Sequence, residues 1–301
     1  MHSYSKDSIS KFTGTGVALV TPFKTDGSID WQGLEALIHH VIIGKVEFVV
    51  SMGTTGEAAT LSEAERFSII DFTVKTVNGK IPVVAGFGGN NTQALKESIG
   101  RYHFNGVDAI LSASPYYNKP TQEGIYHHYM AIDSISPLPI ILYNVPGRTS
   151  SNIEANTTLR IAKDAKHVIA IKEASGNFVQ CMRIIQGADP DFLVVSGDDI
   201  FTMPMIAFGM RGVISVVANY AANDFSEMVR CGIKGDFITA QSLHYKLLDF
   251  MELIFKEGNP GGIKSALKHG GICGDSLRLP LWKVSDELDN KIQLAVAEIN
   301  N

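Results

Sequence analysis

Short apolar runs rich in β-branched residues recur along the first two-thirds of the chain, at residues 16–20, 46–51, 81–86, 107–111, 139–143, 168–171, 192–196 and 212–216. Their apolar positions are continuous rather than alternating, which is the pattern of strands covered on both faces. Helical patterns fill the gaps. Residues 31–42 place Leu34, Leu37, Ile38 and Val41 on one face. Ser62 stands three residues before Glu65, a capping box that opens the next helix. Residues 92–101, 121–133, 154–164, 178–186 and 202–208 complete the alternation. This unbroken succession of strand and helix predicts an α/β fold, a closed (β/α)8 TIM barrel. An open doubly wound sheet is the alternative, because the order of strands in space does not show in the pattern.

After the last run the chain reads as helices only. A long amphipathic helix spans 237–255, Pro260, Gly261 and Gly262 break the pattern, and a final helix after Pro280 and Trp282 ends near Ile299. The expected organisation is a barrel over residues 1–222, with its active site at the C-terminal strand ends, and a C-terminal helical extension over 223–301 that packs on it or offers an oligomer surface.

Composition narrows the function. The 301 residues are 45% hydrophobic and 19% charged, ordinary for a globular protein. A formal charge of −5 without a basic block argues against a nucleic-acid binder. Cys181, Cys231 and Cys273 are far apart and form no CxxC, so neither a disulfide framework nor a zinc site is expected, and a reducing compartment is the simpler reading. Residues 1–11 lack the apolar core of a signal peptide. No uncharged apolar run approaches a membrane span. The N-x-T matches at Asn90 and Asn156 read as chance.

In a barrel of this kind the chemistry sits at the C-terminal ends of the strands. Lys172 directly follows the run 168–171. Desolvation there favours the neutral amine, which can attack a ketone and form a Schiff base. A solvated lysine capping a strand is the plainer reading of Lys172 taken alone. Tyr143 ends the preceding run and would stand beside it, with a phenol able to pass protons to an imine. Gly53-Thr54-Thr55-Gly56-Glu57 offers N–H groups and hydroxyls to a carboxylate or phosphate, or is simply a turn with capping threonines. Gly86-Phe87-Gly88-Gly89-Asn90 lacks the spacing of a nucleotide loop. Tyr116 and Tyr117 follow the fourth run, and paired tyrosines are more often packing than chemistry. Arg148 could fork onto a substrate carboxylate or make a surface ion pair. Asp198-Asp199 has no matching ligands for a metal, so helix capping is preferred. The pairs His39-His40 and His127-His128 are adjacent on helices and point apart.

Three of these motifs, Gly53-Thr54-Thr55-Gly56-Glu57, Tyr143-Asn144-Val145-Pro146-Gly147-Arg148-Thr149 and Ile171-Lys172-Glu173-Ala174, resemble the dihydrodipicolinate synthase family of pyruvate-dependent class I aldolases. The resemblance extends to Asn259-Pro260 and Leu277-Arg278-Leu279-Pro280. It implies that Lys172 forms an imine with pyruvate, that Thr54 and Thr55 bind the pyruvate carboxylate, and that Gly197 and Ile214 line the pocket. It implies a proton relay through Tyr143, Thr55 and Tyr117, with Tyr117 entering from a neighbouring subunit of a homodimer, commonly two dimers in a homotetramer. Arg148 would hold the carboxylate of L-aspartate 4-semialdehyde, and the product would enter lysine and diaminopimelate biosynthesis in the cytoplasm. No metal or organic cofactor is implied. A sister branch, N-acetylneuraminate lyase, shares the lysine and tyrosine, but Arg148 favours the synthase branch; a catalytically dead binding barrel conflicts with the complete set.

The resemblance also bears on regulation. Lysine-inhibited members bind lysine at positions matching Ala58, Ala59, Glu63, Arg66, Asn90, Ala94 and Tyr116. Asn90 and Tyr116 are kept, but Glu63 and Arg66 stand where sensitive bacterial members have histidines, and Ala94 stands where they have a carboxylate. Weak or absent inhibition by lysine is expected.

Overall fold

The protein is described here by a computed structural model covering residues 4–299. Eight strands run in parallel: β1 (Gly14–Ala18), β2 (Phe48–Ser51), β3 (Val83–Gly86), β4 (Ala109–Ala113), β5 (Ile140–Asn144), β6 (Val168–Glu173), β7 (Leu193–Ser196) and β8 (Gly212–Ser215). Each pairs with the next, and β8 returns to β1 with Gly14 opposite Gly212 and Gly16 opposite Ile214. The sheet is therefore a closed barrel without an edge, and the open-sheet alternative is set aside. Parallel strands need crossovers long enough to return the chain to the starting end, and helices supply them.

Before the barrel lies the short helix α1 (Lys6–Ser10). The crossover helices are α2 (Trp31–Ile43), α3 (Glu63–Val77), α4 (Thr92–Arg101), α5 (Gln122–Asp133), α6 (Pro146–Thr149), α7 (Ala155–Asp164), α8 (Phe178–Gly187) and α9 (Thr202–Ala207). The capping box is present: Glu65 N donates to Ser62 Oγ at 3.2 Å and Ser62 N donates to a Glu65 carboxylate oxygen at 2.9 Å.

Helix α10 (Ala222–Lys234) follows β8 and packs against β1 and α2, so it occupies the place of the eighth barrel helix. The division expected at 222/223 falls at its first turn. Helices α11 (Phe237–Phe255), α12 (Gly261–His269) and α13 (Asp286–Ile299) then pack on α10 and on one another. Among the described residues no helix is long and apolar enough to cross a membrane.

Two apolar layers result. The outer one lies between strands and helices, and the inner one fills the barrel with Ala18, Phe48, Val50, Val84, Leu111, Ile141, Leu193, Val195 and Ile214. Ile9 and Phe12, at the end of α1 and just after it, join the inner layer from below, with the Phe12 and Phe48 rings 5.7 Å apart and edge-on. Lys11 pairs with Asp108 at 2.5 Å, Lys6 with Asp191 at 3.1 Å, and Tyr4 bonds His167 at 2.7 Å. Those partners precede β4, β7 and β6, so residues 4–12 form a floor across the N-terminal end of the barrel.

Candidate active site

The site is built on the register of two strands. Tyr143 on β5 lies opposite Lys172 on β6, and Asn144 lies opposite Glu173. Alternation along a strand sends neighbours to opposite faces. Tyr143 belongs to the inner layer, and the Lys172 ammonium stands 4.3 Å from the centre of its ring. Both are nearly enclosed, at 5% exposure for Lys172 and 6% for Tyr143. A solvated lysine at a strand end is not what the structure shows.

Behind them, Glu173 is fully buried and no cationic side chain pairs with it among the described residues. Its carboxylate accepts hydrogen bonds from Asn144 Nδ2 at 3.0 and 3.1 Å, Gln180 Nε2 at 2.9 Å and Ser175 N at 2.8 Å. Asn144 also accepts from Ile153 N at 2.9 Å. A buried polar network whose donors and acceptors are matched holds one arrangement. It fixes the ends of β5 and β6, and with them the lysine and the phenol.

Gly197 follows β7 and covers Lys172. A Cβ there would lie 2.9 Å from Lys172 Cε and 2.7 Å from Ala174 Cβ, so only glycine lets the lysine side chain pass. Ile214 on β8 is buried in the same inner layer as Tyr143. Asp198 is half-buried, and burial raises its carboxyl pKa against the opposing charge of Lys172. Asp199 is wholly buried. The helix capping expected from the sequence is not what Asp199 does: its carboxylate accepts from Val216 N at 3.0 Å and Val217 N at 3.2 Å and so ties the end of β7 to the end of β8. Burial pushes its pKa up to about 6. Among the described residues no group of His, Cys, Asp and Glu is arranged to hold a metal ion.

The loop after β2 makes a 3-10 turn over Thr54–Gly56, with Thr54 exposed and Thr55 buried. Asn259 Nδ2 donates to Thr55 Oγ1 at 2.9 Å. Glu57 follows in the left-handed region at φ 55°, its carboxylate ion-paired with Lys264 from α12.

Two expected residues stand at the rim. Arg148, on α6, is exposed and makes no ion pair among the described residues, so the surface-pair reading has no partner here. Tyr117 is held at φ 70° and is 87% exposed, so its ring is not packed into the site of its own chain. The loop after β3 packs Phe87 against Phe67, Tyr102 and Phe104. His128 is buried against Thr92 Oγ1 at 2.8 Å, and burial lowers its pKa to about 4; it is a core residue. The Glu63 carboxylate is already occupied by Ser98 Oγ at 2.7 Å and Arg101 Nη2 at 2.8 Å.

A model of the dihydrodipicolinate synthetase family matches residues 11–299. The chain belongs to the dihydrodipicolinate synthetase family. It is 50% identical to the 4-hydroxy-tetrahydrodipicolinate synthase of Flavobacterium psychrophilum, over 96% of this chain and 99% of that one. Among solved structures it resembles dihydrodipicolinate synthase from Aquifex aeolicus, with a TM-score of 0.93 and 38% identity over 96% of this chain and 98% of that one. The chloride-inhibited enzyme from Acinetobacter baumannii, solved with pyruvate, matches at a TM-score of 0.92 and 37% identity over 96% and 99%.

As a member of the dihydrodipicolinate synthetase family the chain is an enzyme of the class I aldolase type. Sequence reasoning picked out the groups at the mouth of this synthetase fold but passed over four residues behind them. Asn144 and Glu173 each follow a singled-out residue, and only the register of β5 on β6 shows that they meet. The sequence motif at Asn259-Pro260 does not reveal that Asn259 reaches Thr55. Lys264 carried no signal, because a lysine in a helix reads as solvated surface.

Proposed function

We propose that this chain condenses pyruvate with L-aspartate 4-semialdehyde to give 4-hydroxy-tetrahydrodipicolinate, with Lys172 as the amine that carries pyruvate. The neutral amine adds to the ketone, water leaves, and the resulting iminium acidifies the adjacent methyl group. Loss of a methyl proton gives an enamine, whose carbon attacks the aldehyde. The amino group of the second substrate then displaces Lys172 from the imine carbon, which closes the ring and frees the enzyme. Every step moves a proton. Tyr143 beside the lysine, with Thr55 and a partner's copy of Tyr117, serves as the relay. Thr54 and Thr55 hold the pyruvate carboxylate, Gly197 and Ile214 shape the space around it, and Arg148 receives the carboxylate of the aldehyde.

The observation that carries this reading is the enclosed pair at the mouth, Lys172 Nζ 4.3 Å from the Tyr143 ring. The guanidinium of Arg148, without an ion-pair partner among the described residues, favours a second substrate with a carboxylate over a neutral sugar. The reading places the catalytic work in the barrel and gives the C-terminal helices a supporting role. It includes a homodimer or homotetramer, since exposed Tyr117 needs a second chain to reach a site, and a cytoplasmic setting for three unlinked cysteines.

The test is reduction with borohydride in the presence of pyruvate, followed by mass spectrometry of the labelled peptide. A reduced pyruvate adduct on Lys172 is the expected result; label on another lysine, or none, would remove the mechanism.

A further inference from the structure

Contacts from the chain beyond residue 258 converge on the threonine loop. Asn259 holds the Thr55 hydroxyl. Lys264 and Glu57 form an ion pair in which both side chains are 0% exposed. The ammonium also donates to Ser276 O at 2.8 Å and stands 4.5 Å from the centre of the Phe23 ring. The second Glu57 oxygen accepts from Arg278 N at 3.1 Å. The Arg278 guanidinium forks onto Glu65 at 2.6 and 3.0 Å and donates to Thr60 O at 3.3 Å.

A pair buried this deeply is a poor way to gain stability, because desolvating two charges offsets most of their attraction. What it does supply is a fixed position. Glu57 sits in a left-handed conformation immediately after the turn that carries Thr54 and Thr55, a conformation costly for a residue with a side chain. Its carboxylate is held by Lys264 on α12, far along the chain, so the turn is anchored at its C-terminal end. Burial holds the Lys264 ammonium below the usual lysine range, and the Glu57 charge opposes that shift.

We propose that Glu57 and Lys264 are positioning residues which set the threonine loop for the carboxylate of the keto acid, so that the C-terminal helices complete the binding site from behind. The inference rests on the reading of Thr54 and Thr55 as the carboxylate-binding groups. Neither residue touches the substrate; they act through the placement of Thr54 and Thr55.

The variants are Lys264→Met, Glu57→Gln, the double variant Glu57→Gln/Lys264→Met, and Glu57→Asp, which keeps both charges and shortens the reach by one methylene. Thermal unfolding, the KM for pyruvate and the KM for the aldehyde are measured for each. Each single variant should raise the pyruvate KM roughly tenfold, since small misplacements of binding groups are costly, with the aldehyde KM at saturating pyruvate within about twofold. The double variant leaves no buried charge unpaired and should recover stability. Its pyruvate KM should stay raised, because the loop is still untied. A purely structural role shares the loss of stability in the singles and differs in the double variant, where the pyruvate KM would follow stability back to normal. That result, or an unchanged pyruvate KM in Glu57→Asp together with the double variant, overturns the inference. Borohydride trapping of pyruvate by the unaltered protein separates this from the mechanism: trapping with unchanged KM values sinks only the positioning role, and no trapping sinks the mechanism on which it rests.

Discussion

Gly197 and Lys172 lie closer together than any side chain at 197 would permit, a built Cβ falling 2.9 Å from Lys172 Cε. Gly197→Ala therefore has to displace the lysine or the backbone at Ala174. Overpacking of this kind costs about 1–3 kcal/mol of stability. The larger effect is on chemistry, where a shift of about 1 Å in a reacting group can cost roughly a hundredfold. The rate of adduct formation with pyruvate alone, followed by quenching with borohydride, should fall by at least tenfold. An alanine variant that forms the adduct at the original rate would show that the lysine does not need the space.

Arg148 is exposed at the rim and has no carboxylate partner among the described residues. A charge-assisted fork onto a carboxylate contributes about 1.5–3 kcal/mol. Arg148→Ala should lower kcat/KM for the aldehyde by roughly 10- to 100-fold and leave adduct formation with pyruvate near normal. Arg148→Lys keeps the charge and loses the fork, so it should fall between the two. Equal aldehyde kinetics in all three proteins would take the carboxylate away from Arg148.

Tyr117 is 87% exposed and strained at φ 70°, and its proposed role in a neighbouring chain's site can be tested by complementation. Homogeneous Tyr117→Phe and Lys172→Ala proteins should each be weakly active or inactive. Mixed dimers contain one site with both groups intact and should regain part of the activity. Mixed dimers verified by mass and still inactive would place Tyr117 in the relay of its own chain.

Asp199 gives a pH dependence with a definite sign. Its folded pKa of about 6 lies above the unfolded value of 3.8. The folded state therefore holds the proton more tightly, and the contribution of this group is fully present below about pH 4 and is lost as the pH rises through about 6. The shift corresponds to roughly 3 kcal/mol at the alkaline end. Asp199→Asn keeps an acceptor for Val216 N and Val217 N but cannot titrate. Denaturant unfolding between pH 5 and 7.5 should show a slope for the unaltered protein and a flatter one for the variant. Identical slopes would assign the dependence to other groups.

The barrel was legible because its strands are continuous apolar runs and its helices are amphipathic, so burial wrote itself into the pattern. Where polar groups are buried, the pattern failed. The run 168–171 ends at Ile171 by hydrophobicity, yet β6 continues through Lys172 and Glu173, whose burial depends on Tyr143 and on amides from other elements. Helix α12 was hidden for a similar reason. Gly261 and Gly262 beside a proline read as a break, but a Cβ at Gly262 would fall 2.2 Å from Ile254 O, so the glycine is there for close packing of α12 on α11. Helix α1 is five residues long, too short for a period to show. At the site, the strand-end groups could be named from their positions. What Asp199 grips could not, because its partners lie on the following strand end.

The amide cradle around Glu173 has a consequence for ionic strength. Mobile ions act on charges they can approach, over a Debye length of about 10 Å at 0.1 M salt. Glu173 is sealed from them, and its donors are neutral dipoles set in the fold rather than counter-charges that salt could replace. The backing of the lysine and phenol should hold its shape in brine as in dilute buffer. Arg148 is out in the solvent without such shelter, so added salt should weaken the proposed capture of the aldehyde's carboxylate and leave the proposed amine below it untouched.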